Sequence, residues 1–424
     1  MSEKLTIDGF AGLKKLSIDL RKINVFIGPQ STGKSIAAKL LYFSKNLPSD
    51  LPEAVFSGAG ERDLKRQWQE RFSDYFPPST WGKSAFSVRY ECSNEFIAVQ
   101  KEGGRTRKFD LSWSQGYRSA LRELAKLVAN WRQEHPQAGT TAGLDRGEVH
   151  AELSRLAADR GTPELYFSQV FVPAGRSFFA NVQRNIFRIL SVDGALDPFL
   201  KAFGAVYERR RGFAMRRGPE KRGQTGSPSM QIERLLGELV GATYVVGKDE
   251  DTLEFPDGRV VDIAHASSGQ QEAIPLATTL RLASHLLPVA NGQTLYIEEP
   301  EAHLFPITQR KVVELLATVY NARRDGFQFV ITTHSPYILT ALNNLLQAGR
   351  LAKELAGKAT ALRRLHKVVP KTQILSADDV AAYYFDGKTA RSIMTAEGLI
   401  EAEEIDSVSD EIAAQFDRIL DIGG

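Results

Sequence analysis

A loop with glycine at both ends is the first stretch whose residues could do chemistry. Gly28 to Ser35 read GPQSTGKS and match the pattern G-x-x-x-x-G-K-[ST]. In this pattern backbone N–H groups turn toward the phosphates of a nucleotide, the lysine reaches the β- and γ-phosphates, and the last hydroxyl coordinates Mg²⁺. An ordinary glycine-rich turn is the alternative, but an apolar stretch before the loop and helical spacing after it are the context that phosphate binding requires. The predicted phosphate-binding residues are Gly28, Gln30, Ser31, Thr32, Gly33, Lys34 and Ser35.

Two carboxylates follow a second apolar stretch. Leu295 to Ile297 are apolar, and Glu298 and Glu299 come directly after them. A phosphate-binding loop needs an acidic partner at the end of a neighbouring strand. Glu298 is therefore predicted to hold Mg²⁺ through water, and Glu299 to orient and deprotonate the attacking water. A solvated acidic turn is the alternative, because Glu301 is also nearby.

A histidine ends a third apolar stretch. His334 follows residues 327–333, FQFVITT, and precedes Ser-Pro. Ligands bind at the C-terminal ends of strands in open α/β folds, where an imidazole can hydrogen-bond a γ-phosphate. We predict that His334 senses the γ-phosphate. A purely structural histidine is the other interpretation.

A second anion-binding pattern lies between the loop and the two carboxylates. Ser267, Ser268, Gly269, Gln270 and Gln271 combine small residues, a glycine and the start of a helix. One nucleotide does not need two such sites from one chain, whereas two chains arranged head to tail would use both. These five residues are therefore predicted to contact the nucleotide of a second chain.

Hydrophobic periodicity predicts the elements that position these residues. Alternation at Leu5 to Ile7 and Leu16 to Leu20 predicts two antiparallel strands, and Ile23 to Ile27 predicts a third that leads into the loop. A helix should begin at or near Lys34. The last third of the chain alternates helices with short apolar strands, which is typical of a sheet buried on both faces.

The chain divides into three predicted parts. These are an N-terminal lobe with the phosphate-binding loop (1–115), a largely helical insertion (116–240) and a C-terminal lobe with the carboxylates and histidine (241–424). Within the insertion, the basic and glycine-rich segment 208–222 is predicted to be a mobile loop.

Composition narrows the class of protein. The chain has 424 residues, of which 42% are hydrophobic and 25% charged, as in a soluble globular protein. The net charge of +3 is too small to imply nucleic-acid binding by itself. The single cysteine, Cys92, excludes an internal disulfide and a zinc site with several thiolates. Neither a signal peptide nor a membrane-spanning run is recognisable, so we expect a cytoplasmic protein that does not enter a membrane.

The order of the motifs resembles that of the ABC-type ATPases: Walker A, signature, Walker B, D-loop and switch histidine. SSGQQ is similar to the LSGGQ signature, with Gln270 where a glycine usually stands, and Glu298 stands where most ABC proteins have aspartate. IEEPEAHL, ITTHSP, SSGQQE and VPAGRS resemble the OLD-like branch, which is related to SMC and RecF proteins and common in bacterial anti-phage systems. The ATPase subunits of the PARIS system, and secondly of the Septu system, are of this kind. The resemblance covers roughly residues 5–44 and 244–387.

The resemblance implies an α/β fold: an ABC-type P-loop NTPase with an N-terminal antiparallel β-subdomain, a central mixed sheet and a helical insertion. It implies ATP and Mg²⁺ as ligands and a head-to-tail homo-oligomer, a dimer or larger. Glu301, Ala302 and His303 would form the D-loop, and His303 either reports across the dimer or has a capping or core role. Arg176 in VPAGRS would contact a phosphate or a second subunit, or else form a structural salt bridge.

The chain departs from the OLD nucleases in its C-terminal part. Those enzymes carry a Toprim domain after the ATPase, and the acidic stretches LSADDV and EAEEID do not sit in a clear Toprim pattern. We therefore expect an ATPase that senses infection, through a trigger that a phage could encode. It would hold or release a separate effector, such as a Toprim or HNH nuclease.

Other functions stay open at this point. A RecF- or SMC-like DNA-repair ATPase that clamps DNA would use the basic segment 208–222. A free-standing nuclease would use a metal site near Asp378 and Asp379. A kinase is the poorest fit, because nothing resembles an acceptor site and the signature would have no purpose.

Overall fold

The computed structural model describes residues 3–104, 108–134, 146–159, 166–181, 196–217, 228–247, 251–285, 292–401 and 414–419. The strands are β1 (Glu3–Phe10), β2 (Leu13–Asp19), β3 (Ile23–Ile27), β4 (Phe86–Cys92), β5 (Glu95–Lys101), β6 (Asp110–Trp113), β7 (Ser168–Val172), β8 (Thr243–Val245), β9 (Thr252–Glu254), β10 (Val260–Asp262), β11 (Gln293–Glu298), β12 (Phe327–Thr333), β13 (Val380–Phe385) and β14 (Ala390–Ser392). The helices are α1 (Lys34–Asn46), α2 (Leu51–Ser57), α3 (Glu61–Tyr75), α4 (Pro78–Trp81), α5 (Gln115–Glu134), α6 (Arg146–Asp159), α7 (Phe178–Asn181), α8 (Pro198–Arg217), α9 (Pro228–Val240), α10 (Ser268–His285), α11 (Pro306–Ala322), α12 (Pro336–Glu354) and α13 (Ala359–Val368).

The N-terminal strands form the predicted antiparallel subdomain. Its five strands have the order β2-β1-β4-β5-β6. Leu5 pairs with Ile18 and Ile7 with Leu16, so the apolar side chains of β1 and β2 share one buried face. This is the outcome of period-two alternation, in which every second side chain points to the same side of a sheet.

A six-stranded mixed sheet carries the chemistry. Its order is β14-β13-β3-β12-β11-β7, and all neighbouring strands are parallel except β14. The C-terminal ends of β3, β12 and β11 therefore lie side by side on one edge, which is where ligands bind in open α/β sheets. The sequence did not predict β13 and β14, which extend the sheet beyond β3.

Both faces of this sheet are covered, as the apolar strands indicated. Phe26 and Tyr296 belong to the hydrophobic cluster that also contains the antiparallel sheet and α1. Their neighbours Val25 and Leu295 belong to the cluster formed with α9, α10, α11 and α12 on the opposite face. Strands buried on both faces have no polar alternation, which explains their continuous apolar sequences. The predicted α/β class, with an antiparallel subdomain and a central mixed sheet, is confirmed.

The insertion contains one strand among its helices and differs from its prediction at 208–217. β7 pairs with β11, so this part of the chain also supplies one strand to the central sheet. α8 continues to Arg217, so the segment predicted as a mobile loop is helical over 208–217, while 218–222 lie outside the described residues. The basic and glycine-rich composition suggested a loop. Between Pro198, where the helix begins, and Pro219, however, no proline occurs that would end it.

A third sheet, of three short antiparallel strands in the order β10-β9-β8, lies beside the start of α10. Within the described ranges, no helix is long and apolar enough to cross a membrane.

Candidate nucleotide site

The phosphate-binding loop joins β3 to α1, and its glycines are required by its conformation. Gly28 and Gly33 have φ of 147° and 94°, values that side chains rarely adopt. A Cβ on Gly28 would lie 2.2 Å from the carbonyl oxygen of Phe385, and one on Gly33 would lie 2.7 Å from Leu13. The loop therefore packs directly on β13 and on the β1–β2 subdomain, and α1 starts at Lys34 as predicted.

A cavity of about 370 Å³ lies above the loop. It is lined by the loop and the start of α1, by the residues predicted for catalysis and γ-phosphate sensing, and by three residues from the β1–β2 hairpin and the β13–β14 turn. The lining residues are Gln30, Ser31, Thr32, Gly33, Lys34, Ser35, Ile36, Glu299, His334, Ala11, Leu13 and Gly387. Backbone N–H groups at the start of α1 make this end of the cavity suitable for anions.

Lys34 is buried at the base of this cavity. Its ammonium group donates to the carbonyl oxygens of Gly28 at 2.8 Å and Pro29 at 2.6 Å. Burial lowers the pKa of Lys34 to about 8, although the charges of Glu299 and Glu301 act in the opposite direction. A negatively charged phosphate in the cavity would favour the charged lysine, so phosphate binding and protonation of Lys34 are linked.

His334 bridges the loop and Glu299. Its Nδ1 lies 2.9 Å from the carbonyl oxygen of Gly28, and its Nε2 lies 3.2 Å from Oε1 of Glu299. Nδ1 also lies 3.4 Å from the ammonium of Lys34, so a neutral ring can donate from Nε2 to Glu299 and accept from Lys34 at Nδ1. Oε1 of Glu301 accepts the backbone N–H of His334 at 2.8 Å and the hydroxyl of Thr333 at 2.7 Å. The predicted D-loop glutamate therefore holds the backbone of the predicted switch histidine.

Glu298 and Glu299 end β11 in different environments. Glu298 is buried; its Oε2 accepts the N–H of Ala174 at 3.3 Å, and its Oε1 has no hydrogen-bond partner among the described residues. A buried carboxylate oxygen without a partner fits a metal-bound water. Glu299 has φ of 43°, which is uncommon for a residue with a side chain, and it lines the cavity.

The residues present therefore fit a Mg²⁺ ion shared with a nucleotide. Ser35 lines the cavity, whereas Glu298 does not line it but carries a free carboxylate oxygen one residue before Glu299, which does. No group of three or more His, Cys, Asp or Glu side chains that could hold a metal occurs in the part of the chain that is described. Mg²⁺ usually combines one or two protein ligands with phosphates and water. Such an ion would neutralise phosphate charge.

Ser268 to Gln271 form the first turn of α10, and Ser267 directly precedes the helix. Ser267 caps this helix through its reciprocal hydrogen bonds with Gln270. The side-chain amides of Gln270 and Gln271 donate to backbone carbonyls of Val240, Ile263 and Ala264. Ser267 and Ser268 are exposed. None of these five residues is among those that line the cavity of the same chain.

The D-loop touches the signature turn of its own chain. A Cβ on Gly269 would lie 2.9 Å from the carbonyl oxygen of His303. His303 is exposed and has φ of 58°, while the N–H of Ala302 donates to the carbonyl of Glu299 at 3.0 Å. The two loops that would face a second subunit therefore form one continuous edge.

Two roles were predicted for Arg176, a contact with a phosphate or a second subunit, or a structural salt bridge. The structure does not support the first. The side chain of Arg176 is fully buried just after β7, so it offers nothing to a ligand in the cavity or to another chain. Its guanidinium donates to the carbonyl oxygens of Glu272, Glu298 and Glu299 at 2.9, 2.9 and 3.2 Å, and lies 3.5 Å from the Glu272 carboxylate. The structural alternative is the one observed: Arg176 joins the start of α10 to the end of β11.

Among the described residues, Asp378 and Asp379 near the C-terminal strands belong to no group that could hold a metal. Asp378 pairs with Lys353 at 3.1 Å, and Asp379 pairs with Arg324. Each of these carboxylates therefore has a cationic partner within the chain. Of the later stretch EAEEID, only Glu401 lies within the described residues.

Sequence reasoning missed Gly387 and Glu272. Gly387 lies in the β13–β14 turn, near Thr32, and lines the cavity. The dipeptide Asp386-Gly387 is a hairpin signal that could have revealed this turn. Glu272 is a buried carboxylate directly after the signature, and no local pattern indicates its contact with Arg176.

Comparison with known proteins gives one family match. The family described as "AAA domain, putative AbiEii toxin, Type IV TA system" matches residues 150–340. This segment is less than half of the chain; it contains Arg176, the signature, the two carboxylates and His334, but not the phosphate-binding loop. The match and the loop geometry together support an ABC-type P-loop ATPase.

No protein of curated function matches the sequence. Among solved structures, an Smc head bound to the C-terminal winged-helix domain of ScpA has 14% identity and a TM-score of 0.41, over 92% of this chain and 97% of that one. The SMC head domain from Thermotoga maritima has 15% identity and a TM-score of 0.33, over 80% and 91%. The recombination mediator RecF has 10% identity and a TM-score of 0.33, over 93% and 98%. These values describe a distant likeness.

Proposed function

We propose that this chain binds ATP with Mg²⁺ and hydrolyses it in composite sites between copies of itself. The observation that carries the proposal is the division of the anion-binding groups. The phosphate-binding loop, Glu299 and His334 share one cavity, whereas Ser268 and Gly269 of the signature turn lie outside that cavity. A head-to-tail pair of chains brings the signature turn of one copy to the phosphates held by the other.

The roles follow from chemistry and position. Lys34 and the N–H groups of α1 bind the β- and γ-phosphates, and Ser35 and Glu298 hold Mg²⁺. Glu299 accepts a proton from the attacking water, and His334 contacts the γ-phosphate. Loss of the γ-phosphate removes the contact shared by the two chains, so hydrolysis opens the pair.

The output we propose is the controlled holding and release of a separate effector, such as a nuclease, in anti-phage defence. Support comes from the OLD-like set of motifs and from the matched family, whose description names a toxin of a toxin–antitoxin system. A RecF- or SMC-like ATPase that clamps DNA is the second candidate. The observation that favours it is the cationic helix surface argued in the next subsection.

Two substitutions test the ATPase proposal. Lys34→Ala should abolish ATP binding, and Glu299→Gln should bind ATP but retain it, so that the closed assembly accumulates. Light scattering after gel filtration, with and without ATP, measures the assembly, and phosphate release measures turnover. The matched controls Lys15→Ala and Glu70→Gln change exposed residues away from the cavity and should behave as wild type. Hydrolysis by Glu299→Gln at the wild-type rate would show that Glu299 is not the base.

A second experiment tests the defence role. Cells that carry the gene with its neighbours are challenged with phages, and plaque counts are compared for wild type and Lys34→Ala. We expect protection to require Lys34, and a neighbouring gene product to associate with the protein in an ATP-dependent manner. Equal plaque counts, with no such association, would contradict the defence role while leaving the ATPase proposal intact.

A further inference from the structure

A segment without acidic residues follows α12. Residues 355–377 contain no Asp or Glu but five Lys or Arg residues: Lys358, Arg363, Arg364, Lys367 and Lys371. These five exceed the net charge of +3 for the whole chain, so the rest of the chain is net negative. Such a local excess of one sign attracts polyanions.

α13 occupies the centre of this segment and is amphipathic. Leu362 and Leu365 are half-buried on one face, and Val369, just beyond the helix, packs against the core under the central sheet. Arg363, Arg364 and Lys367 are exposed, and helical spacing puts them on the opposite face. The apolar face fixes the helix to the protein, and the outer face presents the cations.

These cations are not neutralised within the protein. Among the described residues, none of the five has an ion-pair partner, and their side chains are exposed. Their neighbours in α12 differ, since Lys353 pairs with Asp378 at 3.1 Å and Arg350 with Glu354 at 3.9 Å. A solvated face commonly mixes both signs, whereas this one carries a single sign.

We propose that α13, with Lys358 before it and Lys371 after it, binds the phosphodiester backbone of a nucleic acid. The helix has ten residues and is therefore about 15 Å long. Phosphates of one duplex strand are spaced about 3.4 Å along the axis, so the helix extends along about four of them. Contacts of this kind fix position but do not read sequence, so binding is independent of base sequence.

A nucleic acid fits this face better than an acidic protein does. Protein interfaces have a desolvated apolar centre. The outer face of α13 presents Thr360 between the three cations, and Val368 is its one strongly exposed apolar side chain. Backbone phosphates need only exposed cations, which is what the face provides.

Fluorescence anisotropy with a labelled 20-base-pair duplex tests the proposal between 50 and 200 mM salt. We expect salt-dependent binding in the range of about 10⁻⁴ to 10⁻⁶ M that is typical of non-specific complexes. The triple variant Arg363→Gln/Arg364→Gln/Lys367→Gln should bind at least about tenfold more weakly, and the slope of log K against log salt should fall by about 3, or 0.9 per lost phosphate contact.

A charge-matched control separates the site from general electrostatics. Arg62→Gln/Lys83→Gln/Lys126→Gln removes the same charge from exposed positions in the N-terminal lobe and the helical insertion, and should retain wild-type affinity. Equal weakening by the two triple variants, or no binding by wild type at 50 mM salt, would overturn the proposal. A polyglutamate probe that binds as tightly as the duplex would overturn it in favour of an acidic protein partner.

An RNA hairpin of equal charge, measured in the same assay, shows which nucleic acid is preferred. Salt-dependent binding to either polymer supports the proposal.

The site does not depend on ATP hydrolysis. Lys34→Ala should therefore bind the duplex as wild type does, so failure of the ATPase proposal and failure of this one are distinguishable.

Discussion

The guanidinium of Arg176 donates to the backbone carbonyl of Glu272 at 2.9 Å, inside the protein and away from any solvent. Glu272 directly follows the signature turn, and the same guanidinium also binds the carbonyls of Glu298 and Glu299. In a head-to-tail pair the signature turn belongs to one ATP site and the two glutamates to the other. Arg176 is thus a rigid connection, within one chain, between the two sites that we propose.

Removal of Arg176 should be strongly destabilising. Arg176→Met leaves the Glu272 carboxylate buried without its cation, and we expect the free energy of unfolding to fall by about 3–5 kcal/mol. The double variant Arg176→Met/Glu272→Gln should lose less than the sum of the single variants, because its glutamine carries no charge. Urea unfolding of all four proteins measures this coupling. Additive losses would contradict the proposed connection.

Glu301 is predicted to act on hydrolysis by positioning His334. Glu301→Ala removes the acceptor of the His334 N–H and the Thr333 hydroxyl. A displacement of His334 by about 1 Å should lower kcat for ATP by about 100-fold. Glu301 does not line the cavity, so the Kd for ATP should change little. Glu301→Gln keeps an acceptor oxygen and should retain most of the activity. If both variants lose activity equally, charge rather than positioning is responsible.

The local parts of this site could be predicted from sequence, because they depend on neighbours in the chain. The phosphate-binding loop, the start of α1 at Lys34 and the antiparallel pairing of β1 with β2 follow from a motif and from short-range alternation. The positions of Glu299 and His334 beside the loop follow from the rule that parallel strands end at one edge of a sheet.

Long-range packing could not be predicted in the same way. The burial of Arg176 depends on carbonyls that lie 96 and 122 positions away in the chain. β13 was missed because its place beside β3 is a non-local pairing, although its Asp386-Gly387 turn was visible. The basic and glycine-rich composition suggested a loop at 208–217, where the chain continues as a helix.

The binding of ATP should weaken at high pH because of Lys34. Its pKa of about 8 lies below the ordinary value, so the free protein loses the positive charge above that pH. Phosphate binding needs the charged form, so relative to its value at pH 7 the Kd should about double by pH 8 and rise by about tenfold by pH 9. Titration calorimetry from pH 7 to pH 9 measures this. Lys34→Arg stays charged throughout and should show no rise. A wild-type Kd that is constant up to pH 9 would refute the linkage.

A buried ionic network should make stability depend on acid. Glu3 accepts from the ammonium of Lys45, from the hydroxyl of Tyr90 at 2.6 Å and from Gln328 at 2.7 Å. Burial alone would raise the pKa of Glu3, but the charge of Lys45 and these hydrogen bonds lower it below its usual value. The stabilisation is therefore present above the pKa of the unfolded chain and is lost as pH falls through the folded-state pKa.

Lys45→Met should lower the free energy of unfolding by about 3–5 kcal/mol at pH 7, because Glu3 stays buried without its cation. In Glu3→Gln/Lys45→Met, the free energy of unfolding should fall less steeply with falling pH than it does in wild type. Urea unfolding from pH 3 to pH 7 compares the two. An unchanged acid dependence in the double variant would assign the acid sensitivity to other carboxylates.

Gly269→Ala should separate ATP binding from subunit closure. The added Cβ would lie 2.9 Å from the carbonyl oxygen of His303, so the signature turn and the D-loop must move apart. Because Gly269 does not line the cavity, the monomer should bind ATP as wild type does. ATP-dependent association and hydrolysis should fall by at least about tenfold, since misplacement by about 1 Å can reduce rates by about 100-fold. Gly237→Ala is the matched control, because no atom lies within 4 Å of its added Cβ. Normal ATP-dependent association of Gly269→Ala, measured by light scattering, would show that this edge does not meet a second subunit.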